Sequence, residues 1–173
     1  IALEAAAPGR IRDVTVAQNS AGGNCHGILL RGAGVKDVVL DGNVCIADSL
    51  CGIALQDSCS QIIVSGNTAS RNGQHGIWLQ HGPSHNTILA NLIDSNNKAY
   101  DPTYDNIILE SNTHNNHIQR NTCRVGSLLR KPFWGVNIAS SDCDSNYVIN
   151  NDLFTDSGTY SGAFSNIGTA TYY

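Results

Sequence analysis

Six copies of one short motif fix what this chain can fold into. An aliphatic residue is followed three positions later by asparagine: Val16 and Asn19, Leu40 and Asn43, Val64 and Asn67, Ile88 and Asn91, Ile118 and Asn121, Val148 and Asn151. The asparagines lie 24, 24, 24, 30 and 30 residues apart. A period in the twenties marks a chain built by stacking one unit, and it decides which side chains lie above one another.

A second lane accompanies the first. It reads Gly27-Ile28-Leu29-Leu30, Gly52-Ile53-Ala54-Leu55, Gly76-Ile77-Trp78-Leu79, Asn106-Ile107-Ile108-Leu109 and Gly135-Val136-Asn137-Ile138, with a degraded copy at Gly162-Ala163-Phe164-Ser165. From this lane to the next asparagine takes 15 or 16 residues, whereas the return takes between 8 and 15. One connection per unit therefore absorbs the variation in length.

Each unit holds short runs of period two, such as Val38 with Leu40, Ile62 with Val64, and Ile28 with Leu30. Alternation of this kind signals strands with one buried face. No segment carries a sustained helical period. Units of short strands without a crossover helix stack as a coil, each strand pairing in parallel with its counterpart about 4.8 Å away. The expected fold is all-β, a single parallel solenoid of about six coils of 24–30 residues spanning 1–173. The repeated asparagines suit bends in such a coil, where each amide donates to one neighbour and accepts from the other. Asparagine also tolerates the backbone angles of a tight corner. A further column is visible at Asn86, Asn116 and Asn146.

Seventeen glycines and only 14% charged residues suit a turn-rich solenoid. A net charge of −4 supplies no electrostatic footprint for nucleic acid. No stretch approaches the ~20 apolar residues that span a bilayer. The chain lacks methionine altogether and begins at Ile1 beside the first unit. It is read as a piece of a longer protein, its ends capped by further sequence or by partner subunits, as in a homotrimer.

The six cysteines fall mostly into core slots. Cys45 and Cys123 share a register with Ala69, Ile93 and Leu153, and Cys59 and Cys143 share one with Ile11, Val35 and Pro83. Members of each pair lie three rungs apart, about 14 Å at the strand spacing, which is too far to bridge. Cys25 with Cys51, or Cys45 with Cys51, are near enough to pair.

Function is expected at the variable connection. It lengthens at 98–105 and again at 126–134, and should raise a wall carrying Tyr100, Tyr104, Arg130, Phe133, Trp134 and Tyr160. Insertions on one face of a repeat protein often mark its binding face. Beside the wall runs the outward parity of the second lane: Leu29 and Arg31, Ala54 and Gln56, Trp78 and Gln80, Ile108 and Glu110, then Asn137. An exposed indole flanked by amides, a carboxylate and arginine suits a sugar, whose apolar face stacks on the ring while its hydroxyls meet the polar groups. One column reads His26, Cys51, His75, Asp105 and Trp134 in successive units. His75, with Asp105 and Glu110, is the expected acid–base set, and Arg31 or Arg130 would steady a sugar carboxylate. The same His, Cys and Asp residues could also touch zinc. No metal site is assigned and no cofactor is expected.

Segments such as Ile62-Ile63-Val64-Ser65-Gly66-Asn67-Thr68 and Asn72-Gly73-Gln74-His75-Gly76-Ile77 resemble the right-handed parallel β-helix repeat of the pectin-lyase-like superfamily. That group includes pectate lyases, polygalacturonases, alginate epimerases, NosD-type repeat proteins and phage tailspikes. The resemblance implies a right-handed, single-stranded β-helix. It implies a carbohydrate-directed module that binds, and in an enzyme cleaves or epimerises, an acidic polysaccharide outside the cell, at its surface or on a virion. It equally covers a non-catalytic shaft of a tailspike or adhesin, or a NosD-like periplasmic protein touching metal. The polygalacturonase signature is echoed only by His75-Gly76 and His26-Gly27, and the epimerase Asp-Pro-His becomes Asp101-Pro102-Thr103. No cluster of aspartates matches the calcium site of the pectate lyases.

Overall fold

The computed structural model describes residues 1–6, 9–99, 104–126, 131–153, 162–169 and 172. Among these, the regular structure is β-strand throughout. The strands form three parallel sheets that run the length of the solenoid. The first, of seven strands, holds Ala2–Glu4, Ile28–Arg31, Ile53–Gln56, Ile77–Gln80, Ile107–Glu110, Trp134–Ile138 and Gly162–Asn166. The second, of six, includes Lys36–Asp41, Ser60–Ser65 and Thr87–Leu89. The third, also of six, includes Val44–Ile46, Thr68–Ser70 and Leu92–Asp94.

The register is the one the spacing predicts. Ile53 pairs with Ile28 and Ile77, and Ile107 with Ile77 and Val136. In the second sheet Val64 lies between Leu40 and Ile88. Because the side-chain period is two, this register sends one parity of every strand inward. Ile28, Leu30, Ile53, Leu55, Ile77 and Leu79 from the first sheet meet Val38, Leu40, Ile62, Val64, Ile88 and Ile118 from the second in one continuous core. The third sheet contributes Cys45, Ala69, Ile93 and Cys123 to the same core. All six cysteines are free: Cys25 is exposed and the other five are buried.

Left-handed residues bend the chain at recurring corners; one set, which includes Asp57, His81 and Ser111, directly follows the first sheet, and three more follow it around the coil. Asp37, Gln61 and His85 mark the first of these three, Gly42, Gly66 and Ala90 the second, and Ala47, Arg71 and Ser95 the third, all with φ between 53° and 62°. The strained angle at the second corner falls on the residue before the repeated asparagine, so Asn43, Asn67 and Asn91 are free to serve as the ladder. Each accepts, on one Oδ1, both the backbone N–H and the side-chain amide of the asparagine one rung earlier, at 2.8–3.0 Å. The chain of amides runs from Asn19 to Asn151. Asn86, Asn116 and Asn146 make a second such ladder. A third, at Asn24, Asp48, Asn72 and Asn96, went unnoticed in the sequence.

Candidate functional site

The outward parity of the first sheet is in the expected register. Leu29, Ala54, Trp78, Ile108 and Asn137 are successive partners, as are Glu4, Arg31, Gln56, Gln80 and Glu110. The exposure expected of this strip is corrected, however. Leu29, Ala54, Ile108 and Gln56 are buried. Long polar side chains lean onto the neighbouring rung and cover the apolar seam. Arg31 donates from Nε and Nη2 to the Gln56 Oε1, at 3.2 and 2.7 Å, reaching across to the Ala54 strand. Trp78 donates its indole N–H to Glu110 Oε2 at 2.7 Å, which carries the ring across to the Ile108 strand. Trp78 and Gln80 remain half-buried.

The column of His26, Cys51, His75, Asp105 and Trp134 is also in register, since each following residue hydrogen-bonds to the next column member's carbonyl. His75 is buried, and its Nδ1 accepts the Asp105 backbone N–H at 3.0 Å. That bond places the proton of the neutral ring on Nε2. The imidazole lies 5.7 Å from the Trp78 ring and meets Tyr104 edge-on at 5.1 Å. Tyr104 in turn accepts from the Gln74 amide at 3.1 Å.

Asp105 does not turn its carboxylate to His75. Oδ1 accepts the Trp134 N–H at 2.8 Å and Oδ2 accepts the Asn137 amide at 2.9 Å. Burial pushes this carboxyl up to about 7, helped by the field of Glu110 and opposed by the two bonds it accepts. Asp105 is thus a bracket that ties the lengthened connection to the sheet. Asn137, expected to meet a ligand, is occupied by that bracket. Trp134 lies half-buried, edge-on to Phe133 at 5.9 Å, with its ring over Gly162, where even a methyl group would collide at 2.7 Å. Tyr100, Arg130 and Tyr160 lie outside the described residues.

Arg31 is shared among acids as well as Gln56: Glu4 lies 3.4 Å away and Asp57 3.6 Å. At the top of the column, burial and then the nearby Arg31 depress the His26 imidazole. Burial pushes the Cys51 thiol up to about 12, which keeps it protonated at neutral pH. Among the described residues no cluster of three or more His, Cys, Asp or Glu could hold a metal ion. No helix among them is long and apolar enough to cross a membrane.

The arrangement offers a half-exposed indole fixed by a carboxylate and flanked by a buried imidazole, a phenol and the Gln80 amide. Its missed components are Gln74, which orients Tyr104, and Asp57, which competes for Arg31. Gln74 was legible from its place beside His75 in the repeat; Asp57 lies just past the strand, where the parity argument stops.

Residues 10–93 match the family described as right handed beta helix region. A comparison with curated proteins found no match. Among solved structures, the A-module of the Azotobacter vinelandii mannuronan C-5 epimerase AlgE4 superposes with a TM-score of 0.72 at 19% identity, over 95% of this chain and 44% of that one. The periplasmic alginate epimerase AlgG gives 0.64 at 17% identity, over 92% and 39%. The A-module of the Azotobacter vinelandii epimerase AlgE6 gives 0.62 at 16%, over 99% and 58%. The chain therefore spans between 39% and 58% of the length of these structures. At such identities the likeness is one of fold.

Proposed function

Starting from a chain with the right-handed parallel β-helix fold of the pectin-lyase-like proteins, we propose that it is a carbohydrate-directed module whose first sheet meets a polysaccharide on its outer face. The observation that carries this reading is Trp78. Its indole is half-exposed, held in one orientation by Glu110, and bordered by His75 and Tyr104 at the foot of the variable connections. A fixed ring loses little freedom when a sugar docks on it, and the adjacent amide of Gln80 and the Tyr104 hydroxyl can meet sugar hydroxyls. The neighbours in fold are named as epimerases of mannuronan and alginate, which supports a polysaccharide as partner. It also favours a place outside the cytoplasm. Catalysis, in this reading, would fall to His75 and Glu110, with Asp105 positioning the connection. Calorimetric titration with a panel of oligosaccharides tests the proposal, and Trp78→Ala should abolish whatever binding is found. Intact binding by that variant overturns the assignment of this face.

One observation favours a second reading, a structural shaft packed against other subunits. On the outer face of the second sheet, His117, Tyr147 and Tyr172 stack with ring centres 4.7 and 4.9 Å apart. Ile63 on the same column is 43% exposed, Tyr147 37% and Tyr172 54%. A monomer in solution at high protein concentration would exclude this reading; a trimer that dissociates on Tyr147→Ser would favour it.

A further inference from the structure

Resting on the binding reading above, we infer that the glycan taken by the first sheet is uncharged, not a polyuronate. The argument is a census of charge along the strip. A polyuronate carries one carboxylate on every sugar, and strands about 4.8 Å apart would meet roughly one such group per rung if the polymer followed the solenoid axis. Each would need a cation or several donors, because like charges brought together at an interface oppose association strongly.

The sheet offers little of the kind. Its polar column reads Glu4, Arg31, Gln56, Gln80 and Glu110, with Arg31 as its one cation. That guanidinium is already committed to the Gln56 carbonyl, to Glu4 at 3.4 Å and to Asp57 at 3.6 Å. The His81 imidazole next to it lies 3.3 Å from the same Asp57. Glu110 stands beside the indole it anchors. Two carboxylates, Glu4 and Asp57, therefore share the one guanidinium, Glu110 adds a third negative charge three rungs along, and a fourth acid, Asp105, is buried. The described lysines of the wall, Lys98 and Lys131, sit in the connections that lead into the strands, at the end of the strip away from Arg31. What the strip presents to a ligand is an indole, an amide and a phenol, the partners of hydroxyl groups. Among the described residues of this sheet, the fold shared with alginate epimerases thus does not bring a polyanion-binding surface with it.

The test is a titration of the full chain, at low ionic strength with a chelator present, against cello- and manno-oligosaccharides and against oligomannuronate and oligogalacturonate. The uncharged series should bind, and the uronates should be weaker by about tenfold or more. Asp57→Asn combined with Glu110→Gln should narrow that gap by raising uronate affinity, and the exposed Asp57→Asn alone should do so in part if the double variant fails to fold. Uronates that bind the wild-type chain within about tenfold of the best uncharged oligosaccharide, or more tightly, would overturn the inference while leaving a carbohydrate module in place. Binding of neither series would overturn both.

Discussion

Of the three amide ladders in the solenoid, two flank the third sheet, and only one of those two is uniform. Between the second and third sheets every rung supplies asparagine, from Asn19 to Asn151, and the approach to it varies by a single residue. Between the third and first sheets the column reads Asn24, Asp48, Asn72 and Asn96, and then meets Gly126, which has no side chain to offer. There Asn106, from the far side of the lengthened connection, supplies the acceptor for Asn96 at 3.0 Å and donates to the Arg124 carbonyl at 2.9 Å. A complete ladder needs every rung at one height and tolerates no insertion. An interrupted ladder can be completed by a residue from elsewhere, and that freedom is where the wall, Asp105 and the Trp78 surroundings arise.

The largest effect that could break this contrast is loss of a central amide at the uniform corner. Asn67 serves the Asn43 backbone and side chain as acceptor and donates to the Leu40 carbonyl and to Asn91. Asn67→Ala strands several buried groups and should cost about 4 kcal/mol, at roughly 1–3 kcal/mol for each orphan. Urea unfolding reads it, and a cost under about 1 kcal/mol would mean the ladder is ornamental.

At the irregular corner the next effect is pH-dependent. Asp105 binds its proton more tightly folded than unfolded, since burial raises it from 3.8 to about 7. Its contribution is therefore present below the unfolded value and lost as pH rises towards 7. Asp105→Asn should flatten the fall in stability between about pH 4 and 7, by up to about 4 kcal/mol across the window, as read from denaturation at each pH. An unchanged slope would show that the bracket carries no proton.

Asp48 gives a smaller and sharper test. In neighbouring rungs the Nδ2 of Asn72 and Asn96 donates to the Cys45 and Ala69 carbonyls, at 3.3 and 3.0 Å. Asp48 Oδ2 occupies the same place, lying as close to Gly27 as those nitrogens lie to Gly52 and Gly76, and it has no hydrogen-bond partner. Burial raises this carboxyl too. Asp48→Asn should stabilise the chain by about 1 kcal/mol near neutral pH, the worth of one restored bond. The gain should shrink as acid protonates the wild-type carboxyl. The smallest effect returns to the uniform corner: Ala90, at φ 53°, stands where Gly42 and Gly66 stand in earlier rungs. Ala90→Gly should raise stability by a few tenths of a kcal/mol, strain relief slightly exceeding the entropy that glycine costs.

Most of the architecture was legible because register in a parallel coil is set by residue spacing. The columns at His26–Trp134 and Leu29–Asn137 could be written down from the sequence alone. The third amide ladder escaped although its members lie 24 residues apart, because Asp48 and Gly126 disguise it. The site was less legible than the fold. Parity places Ala54 and Ile108 outside the core, yet whether they meet solvent depends on how Arg31 and Trp78 lean, and that is decided by partners one rung away. The same dependence buries Gln56 beneath its bond from Arg31 and ties the Asn137 amide to Asp105.

Every amide in the uniform column donates towards the later rung, from Asn19 Nδ2 through to the Asn151 Oδ1. The rod is therefore vectorial. Any segment that extends it before Asn19 must present a donor, and any that extends it after Asn151 must present an acceptor. Head-to-tail joining satisfies both, whereas two copies abutting by their first rungs would set oxygen against oxygen.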